Sequence, residues 1–296
     1  MRCHQKLGRT MKTFIIGAGL IGSSLARALL EAGGYEIILY DANDGVREKV
    51  QELDLGRVVG KPADGLIEAD IVVLATPVGT YAELVGEINA HGRDGLVVSD
   101  VGSVKSMVAR EFASLRDGLH GVPAHPIAGT EKSGPEHGFA SLFANRWSII
   151  TPLEDGHEAA QQTISKMWED VGARVEVMTP DRHDLVMAIT SHIPHLVAFS
   201  TVGTANHLEQ VTSSEVIKYS AGGFDSFTRL AGSDPVMWRD VFLNNREAVL
   251  EMLGRFIEDL VAVQRMIRYG DGEAMEDLFG QTRAIRKELI DSGMGR

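Results

Sequence analysis

Phe14-Ile15-Ile16-Gly17-Ala18-Gly19-Leu20-Ile21-Gly22 is the stretch that decides the fold. A short apolar run enters a turn of the pattern G-x-G-x-x-G, and Ile21, Leu25 and Leu29 then recur at helical spacing. Strand, glycine turn and helix in that order make a dinucleotide-binding corner. Gly17 permits the tight turn, Gly19 lets the backbone approach a pyrophosphate, and Gly22 lets the helix pack close to the strand. The helix opening at Leu20 and Ile21 offers free N–H groups to the phosphates. A second strand, Ile37-Ile38-Leu39-Tyr40, ends at Asp41, roughly 20 residues on, where a carboxylate accepts the ribose 2′-hydroxyl. The same carboxylate repels a 2′-phosphate, so the expected cofactor is NAD, with NADP disfavoured.

Runs like Thr13–Ile16 and Glu36–Tyr40 follow at Ile71–Ala75, Leu96–Ser99, Trp147–Thr151 and Val175–Met178. Amphipathic helical patterns separate the first four, and such alternation signals a doubly wound, mostly parallel sheet. Thr76 and Pro77, directly after Ala75, belong at the carboxyl edge of that sheet, where such cofactors bind. Beyond Pro180 the β-branched runs vanish and the chain reads as helix, which places a boundary near Thr179–Asp181. The expected class is therefore α/β: a Rossmann-type doubly wound sheet over residues 11–180, then an all-α domain over residues 181–296. One helix is expected to run unbroken from a start at Ser233-Asp234-Pro235 to Gly270, about 50 Å at ~1.5 Å per residue. That exceeds what a small helical domain needs for its own core, so part of its apolar stripe is expected at a homodimer interface.

With 29 Lys+Arg against 41 Asp+Glu the net charge is −12, which disfavours nucleic acid and an anionic membrane surface as partners. A composition of 44% hydrophobic and 24% charged residues excludes a largely disordered or fibrous chain. Cys3, the single cysteine, can make neither an internal disulfide nor a Cys-based zinc site, so a reducing, cytoplasmic location is expected. Met1–Thr10 lacks the apolar run of a signal peptide and reads as a disordered leader before Met11. Charges or glycines interrupt every apolar stretch before the ~18–20 residues a bilayer span needs, so no membrane segment is expected.

Two polar, glycine-containing segments follow later strands: Asp100-Val101-Gly102-Ser103-Val104-Lys105 and His125-Pro126-Ile127-Ala128-Gly129-Thr130-Glu131-Lys132-Ser133-Gly134. Loops at those places project over the nicotinamide end of a doubly wound sheet. Oxidising an alcohol by hydride transfer needs a base at the hydroxyl proton, and His125 has a side chain of suitable pKa, with an acid limb of activity expected near ~6.5. His125 reads equally well as packing beside Pro126, and Ser103 as the cap of a helix. Arg229, in a glycine-rich stretch before the long helix, suits a carboxylate anchor through its planar donor fork. His192 and His195 lie three apart, but no third ligand motif accompanies them, so no metal is expected. His120, His137, His157, His183 and His207 read as structural or solvated.

Gly17–Gly22, the DVGSVK and HPIAGTEKSG segments, Ser191-His192-Ile193-Pro194-His195 and the stretch Gly223–Pro235 occur in an order that resembles the prephenate/arogenate dehydrogenase family. The likeness spans Met11 to about Arg286. It implies an NAD(P)-dependent oxidative decarboxylation in tyrosine biosynthesis, on a Rossmann domain followed by a helical dimerisation domain. By the resemblance, His125 is the catalytic histidine at the ring C4 hydroxyl, with Ser103 hydrogen-bonding beside it. Arg229 grips a substrate carboxylate, His195 lies near the substrate side chain, Glu131 gates the pocket, and Trp238 lines it. The chain departs from the family pattern where an acidic residue often lies three before the arginine: Ser226 is there, and Asp225 is four before. A β-hydroxyacid or imine-type dehydrogenase would carry a lysine on the first helix after the sheet, and His183–His195 offers none. A non-catalytic NAD sensor would have no need of His125, Ser103 and Arg229.

Overall fold

The computed structural model describes residues 10–130, 132–212 and 222–291. Glu131 and, Thr10 aside, the expected leader lie outside the described residues. Strands β1 (Met11–Ile16), β2 (Tyr35–Tyr40), β3 (Arg57–Val58), β4 (Ile71–Leu74), β5 (Val97–Asp100) and β6 (His120–Val122) form a parallel sheet in the order β3-β2-β1-β4-β5-β6. Helices α1 (Leu20–Ala32), α2 (Asp44–Glu52), α3 (Pro62–Leu66), α4 (Tyr81–His91) and α5 (Ser106–Phe112) lie between these strands.

Both faces of the sheet are covered, which explains why its strands read as continuous apolar runs. Along β1 the side chains alternate: Ile15 joins a core with Leu25, Leu29, Phe143 and Trp168. Phe14 and Ile16 join a core with Tyr81, Val104, Phe112 and Trp238. The strand order reverses between β1 and β4, and the crevice at their carboxyl ends is the place for a ligand.

A second, three-stranded sheet adjoins: β7 (Ala124–Pro126) runs antiparallel to β8 (Trp147–Ile150), which is parallel to β9 (Arg174–Val177). Helix α6 (Glu158–Asp170) connects the last two. Periodicity did not reveal β3, β6 or β7, each of which is two or three residues long. His125 consequently lies on a strand rather than in a loop.

From Pro180 the chain is helical. α7 (Pro180–Met187) passes through a π-helical turn, Ala188–His192, into α8 (Ile193–Thr212). Then come α9 (Gly222–Thr228), α10 (Pro235–Asn244), α11 (Arg246–Tyr269) and α12 (Gly272–Asp291). The helix expected to be unbroken from Pro235 to Gly270 stops at Asn245, whose φ of −108° and ψ of 34° leave the helical region. There the Asn245 side-chain amide donates to Asp184 O at 2.9 Å and to His192 Nδ1 at 3.1 Å, which anchors the residue at the break. Compact packing divides the chain at Arg246. Trp238 and Val241 belong to the same core as Val78 and Val104, so the early helices are built onto the sheet.

Contrary to expectation, Pro180–Leu208 is long and apolar enough, by length and composition alone, to cross a membrane. Its first turns instead serve the sheet unit, because the Asp184 carboxylate binds the backbone at the start of α5.

Candidate active site

At the glycine corner the backbone explains each residue. Gly17 has φ +97°, and a Cβ there would lie 2.5 Å from Ala75 O and 2.9 Å from the Thr76 methyl, so Thr76 packs directly beside the turn. A Cβ on Gly22 would sit 1.9 Å from Gly17 O, which only glycine avoids. Space is open around Gly19, the N-cap of α1, which supplies no capping side chain, and the first turn of α1 is free of acidic residues. The N–H groups of Leu20 and Ile21 open α1 at its positive end without a capping side chain, an arrangement that fits a pyrophosphate.

Asp41 stands at the end of β2, with Oδ2 accepting from Ala18 N at 2.8 Å and Oδ1 from Asn43 N at 2.9 Å. These bonds aim the carboxylate while each oxygen keeps a lone pair for a ribose hydroxyl. Thr76 Oγ1 lies 2.8 Å from Thr80 Oγ1, which donates to Pro77 O, so the Thr76–Pro77 turn is tied to the helical turn after it.

The other end of the site is built around β7. His125 Nδ1 lies 2.8 Å from His183 Nε2, and His183 Nδ1 lies 2.8 Å from Asp184 Oδ1. Asp184 also accepts from Lys105 N at 2.7 Å and Ser106 N at 2.8 Å. Burial raises the Asp184 carboxyl, but hydrogen bonds from His183, Ser106 and Lys105 outweigh it and hold the group below its ordinary range.

An ionised Asp184 can only accept, so His183 carries its proton on Nδ1 and presents bare Nε2 to His125. His125 must then donate from Nδ1, which leaves its Nε2 free as a proton acceptor. This assignment of tautomers follows from the bonding pattern alone. Desolvation pushes the His125 ring well below its ordinary value, reinforced by His183, Lys105 and His192. The ring is thus neutral at pH 7, held below its ordinary range rather than at it.

His183, read from sequence as structural or solvated, is the direct partner of His125, and Asp184 was not singled out. The only sequence signal was a His-Asp pair in the opening turns of the first helix beyond the sheet. Ser103 bonds neither His125 nor the start of α5 among the described residues; the capping groups of α5 come from Asp184 instead.

Across α8 and α10, His195 stacks on Trp238 with centroids 3.7 Å apart and planes 23° apart. Its Nδ1 donates to Ser191 O at 2.8 Å. Burial lowers the His195 ring; the bond to Ser191 opposes this and the nearby Arg229 charge adds to it. Arg229 is exposed at the start of a short helical turn and forms no ion pair among the described residues. His192 is fully buried, accepts from Asn245, and is pushed down to about 4 by burial. Among the described residues no three His, Cys, Asp or Glu side chains cluster to hold a metal.

Residues 25–177 match the family model described as prephenate dehydrogenase, nucleotide-binding domain, and residues 179–281 match prephenate dehydrogenase, dimerization domain. The chain belongs to the prephenate dehydrogenase family. A cyclohexadienyl dehydrogenase of Zymomonas mobilis is 37% identical over 282 residues, 93% of this chain and 94% of that enzyme. The crystal structure of prephenate dehydrogenase from Aquifex aeolicus, in complex with hydroxyphenyl propionate and NAD+, superposes with a TM-score of 0.87 at 33% identity, covering 97% and 99% of the two chains. A Synechocystis arogenate dehydrogenase superposes with a TM-score of 0.80 at 26% identity, covering 94% and 100%. Within a prephenate dehydrogenase fold, the relay of Asp184, His183 and His125 lies beyond the carboxyl ends of β5 and β6, on the side of the sheet where the glycine corner opens.

Proposed function

We propose that this chain oxidatively decarboxylates prephenate, arogenate or both with NAD, giving 4-hydroxyphenylpyruvate or tyrosine. The relay that leaves His125 Nε2 as a bare, neutral acceptor carries the reading, since the reaction needs a base at the C4 hydroxyl. When bound, the nicotinamide supplies the acceptor for the hydride leaving C4. His125 Nε2 takes the hydroxyl proton, and His183, backed by Asp184, stabilises the imidazolium that results. The ring carboxylate then leaves as CO2, and its bond electrons complete the aromatic ring.

Gly17, Gly19, Leu20, Ile21, Gly22, Asp41, Thr76 and Pro77 are assigned to the cofactor. Ser103 is assigned to hydrogen bonding beside His125, Arg229 to a carboxylate, His195 and Trp238 to the side-chain end, and Glu131 to the pocket mouth. Residues 11–180 would hold the cofactor and residues 181–296 the substrate and a second subunit. The exposed Ile257, Leu260, Val261 and Ile267 on α11 and Phe279 and Ile285 on α12 support a homodimer through the helices. The single cysteine favours the cytoplasm. Steady-state NADH formation with prephenate and arogenate in parallel, each with NAD and NADP, tests the reading; no turnover of either substrate overturns it.

A further inference from the structure

Beneath His125 lies an ion pair that the chemistry above does not use. Asp100, the last residue of β5, and Lys105 are both fully buried. Lys105 Nζ donates to Asp100 Oδ2 at 2.5 Å and to Ala124 O at 2.8 Å. Asp100 Oδ1 accepts from Ala124 N at 3.0 Å, while Oδ2 also accepts from Gly102 N at 2.8 Å and from the Tyr81 hydroxyl at 3.2 Å.

Ala124 immediately precedes His125, and the pair satisfies both of its backbone groups. β5 and β7 belong to different sheets and share no ladder, so two side chains stand in for the missing backbone rung. A buried ion pair is a poor device for stability, because apolar residues of similar volume often hold a core as well or better. What apolar residues could not supply is a directed donor and a directed acceptor on one peptide unit.

We infer that Asp100 and Lys105 are a positioning pair that locks the His125 strand against the cofactor edge of the main sheet. The inference rests on His125 being the base of the proposed reaction. Besides Lys105, the charged or titratable groups acting on His125 are His183 from α7 and His192 from the π turn, with Asp184 reaching it only through His183. Removing the Lys105 charge therefore leaves one opposing influence fewer on protonation of the ring.

Lys105→Met alone strands a buried carboxylate and can fail to fold, so the deciding variant is the charge-balanced Asp100→Asn/Lys105→Met. It is expected to fold and to bind NAD within about twofold of wild type. It should lose about 10- to 100-fold in kcat, the effect of a base displaced on the order of 1 Å, with the acid limb moved to higher pH. The His125 ring titration followed by NMR in the free protein should move the same way. A folded double variant with wild-type kcat and an unmoved titration overturns the inference. A double variant that cannot fold assigns the pair to stability alone and overturns it too. Wild-type protein inactive on both substrates removes the proposed reaction instead, and the ring titration then still decides whether the pair acts on His125.

Discussion

Replacing His183 with Phe keeps a ring of similar size in a fully buried place and removes both polar contacts, to His125 and to Asp184. In the ground state the lost bond to His125 is one between neutral rings, worth about 1 kcal/mol net. In the transition state of the proposed reaction His125 acquires charge, and a bond to a charged group is worth about 1.5–3 kcal/mol. The difference, about 0.5–2 kcal/mol, is felt only on the way to products and amounts to roughly 2- to 30-fold in kcat. Loss of ring orientation adds to this, for a total of about 10- to 100-fold.

Because the contact is realised in the transition state, kcat and kcat/KM should fall together while KM stays near wild type. NAD affinity, set at the far end of the site, should not change. His183→Gln, which can still donate to Asp184 and accept from His125, should recover part of the loss. The assay is NADH formation across pH with saturating NAD, beside a thermal melt of each variant. A folded His183→Phe protein with kcat within twofold of wild type would refute the relay.

At the cofactor end, Asp41→Asn should weaken NAD binding and narrow the preference over NADP, measured by titrating both nucleotides, because the amide no longer repels a 2′-phosphate; equal shifts for both would remove Asp41 from ribose recognition. Arg229→Ala should chiefly raise KM, lowering kcat/KM by roughly 30-fold or more, with Arg229→Lys restoring only part; unchanged KM for prephenate and arogenate would show the anchor to be elsewhere. Stability should fall as pH drops, since His192 titrates at about 4 when folded against 6.5 ordinarily. Between those values the unfolded chain binds a proton that the folded chain refuses, so at ~1.36 kcal/mol per pH unit about 3 kcal/mol is lost by pH 4. Denaturant melts that are flat from pH 7 to pH 4 would contradict this.

What could be read in advance was local. The glycine corner is legible because each glycine answers to a contact within its own turn or with the adjacent strand, as the 1.9 Å approach at Gly22 shows. The long strands are legible because burial on both faces writes them as apolar runs. Strand β7 was not, since Ala124-His125-Pro126 is too short to show a period and exists only by pairing with β8. His183 was missed for a related reason: its partner is 58 residues away, and nothing in either neighbourhood announces the other. The stop at Asn245 was hidden in the same way, because the side-chain bonds that anchor Asn245 at the break reach back to Asp184 and His192.

Asp184 links these separate failures. Helix α5 begins without a cap of its own, and the carboxylate that satisfies Lys105 N and Ser106 N arrives from 78–79 residues later in the chain. The same carboxylate fixes the tautomer of His183 and through it that of His125. Its backbone carbonyl takes the Asn245 amide that ends α10. A helix start, the ring proposed as the base and a helix end thus share one residue, so that ring takes the tautomer with a bare Nε2 only once α7 has docked on the sheet. Chemistry that depends on docking between distant segments cannot be written as a local motif. A motif can therefore mark where such a site lies, while the groups that set its protonation have to be found in three dimensions.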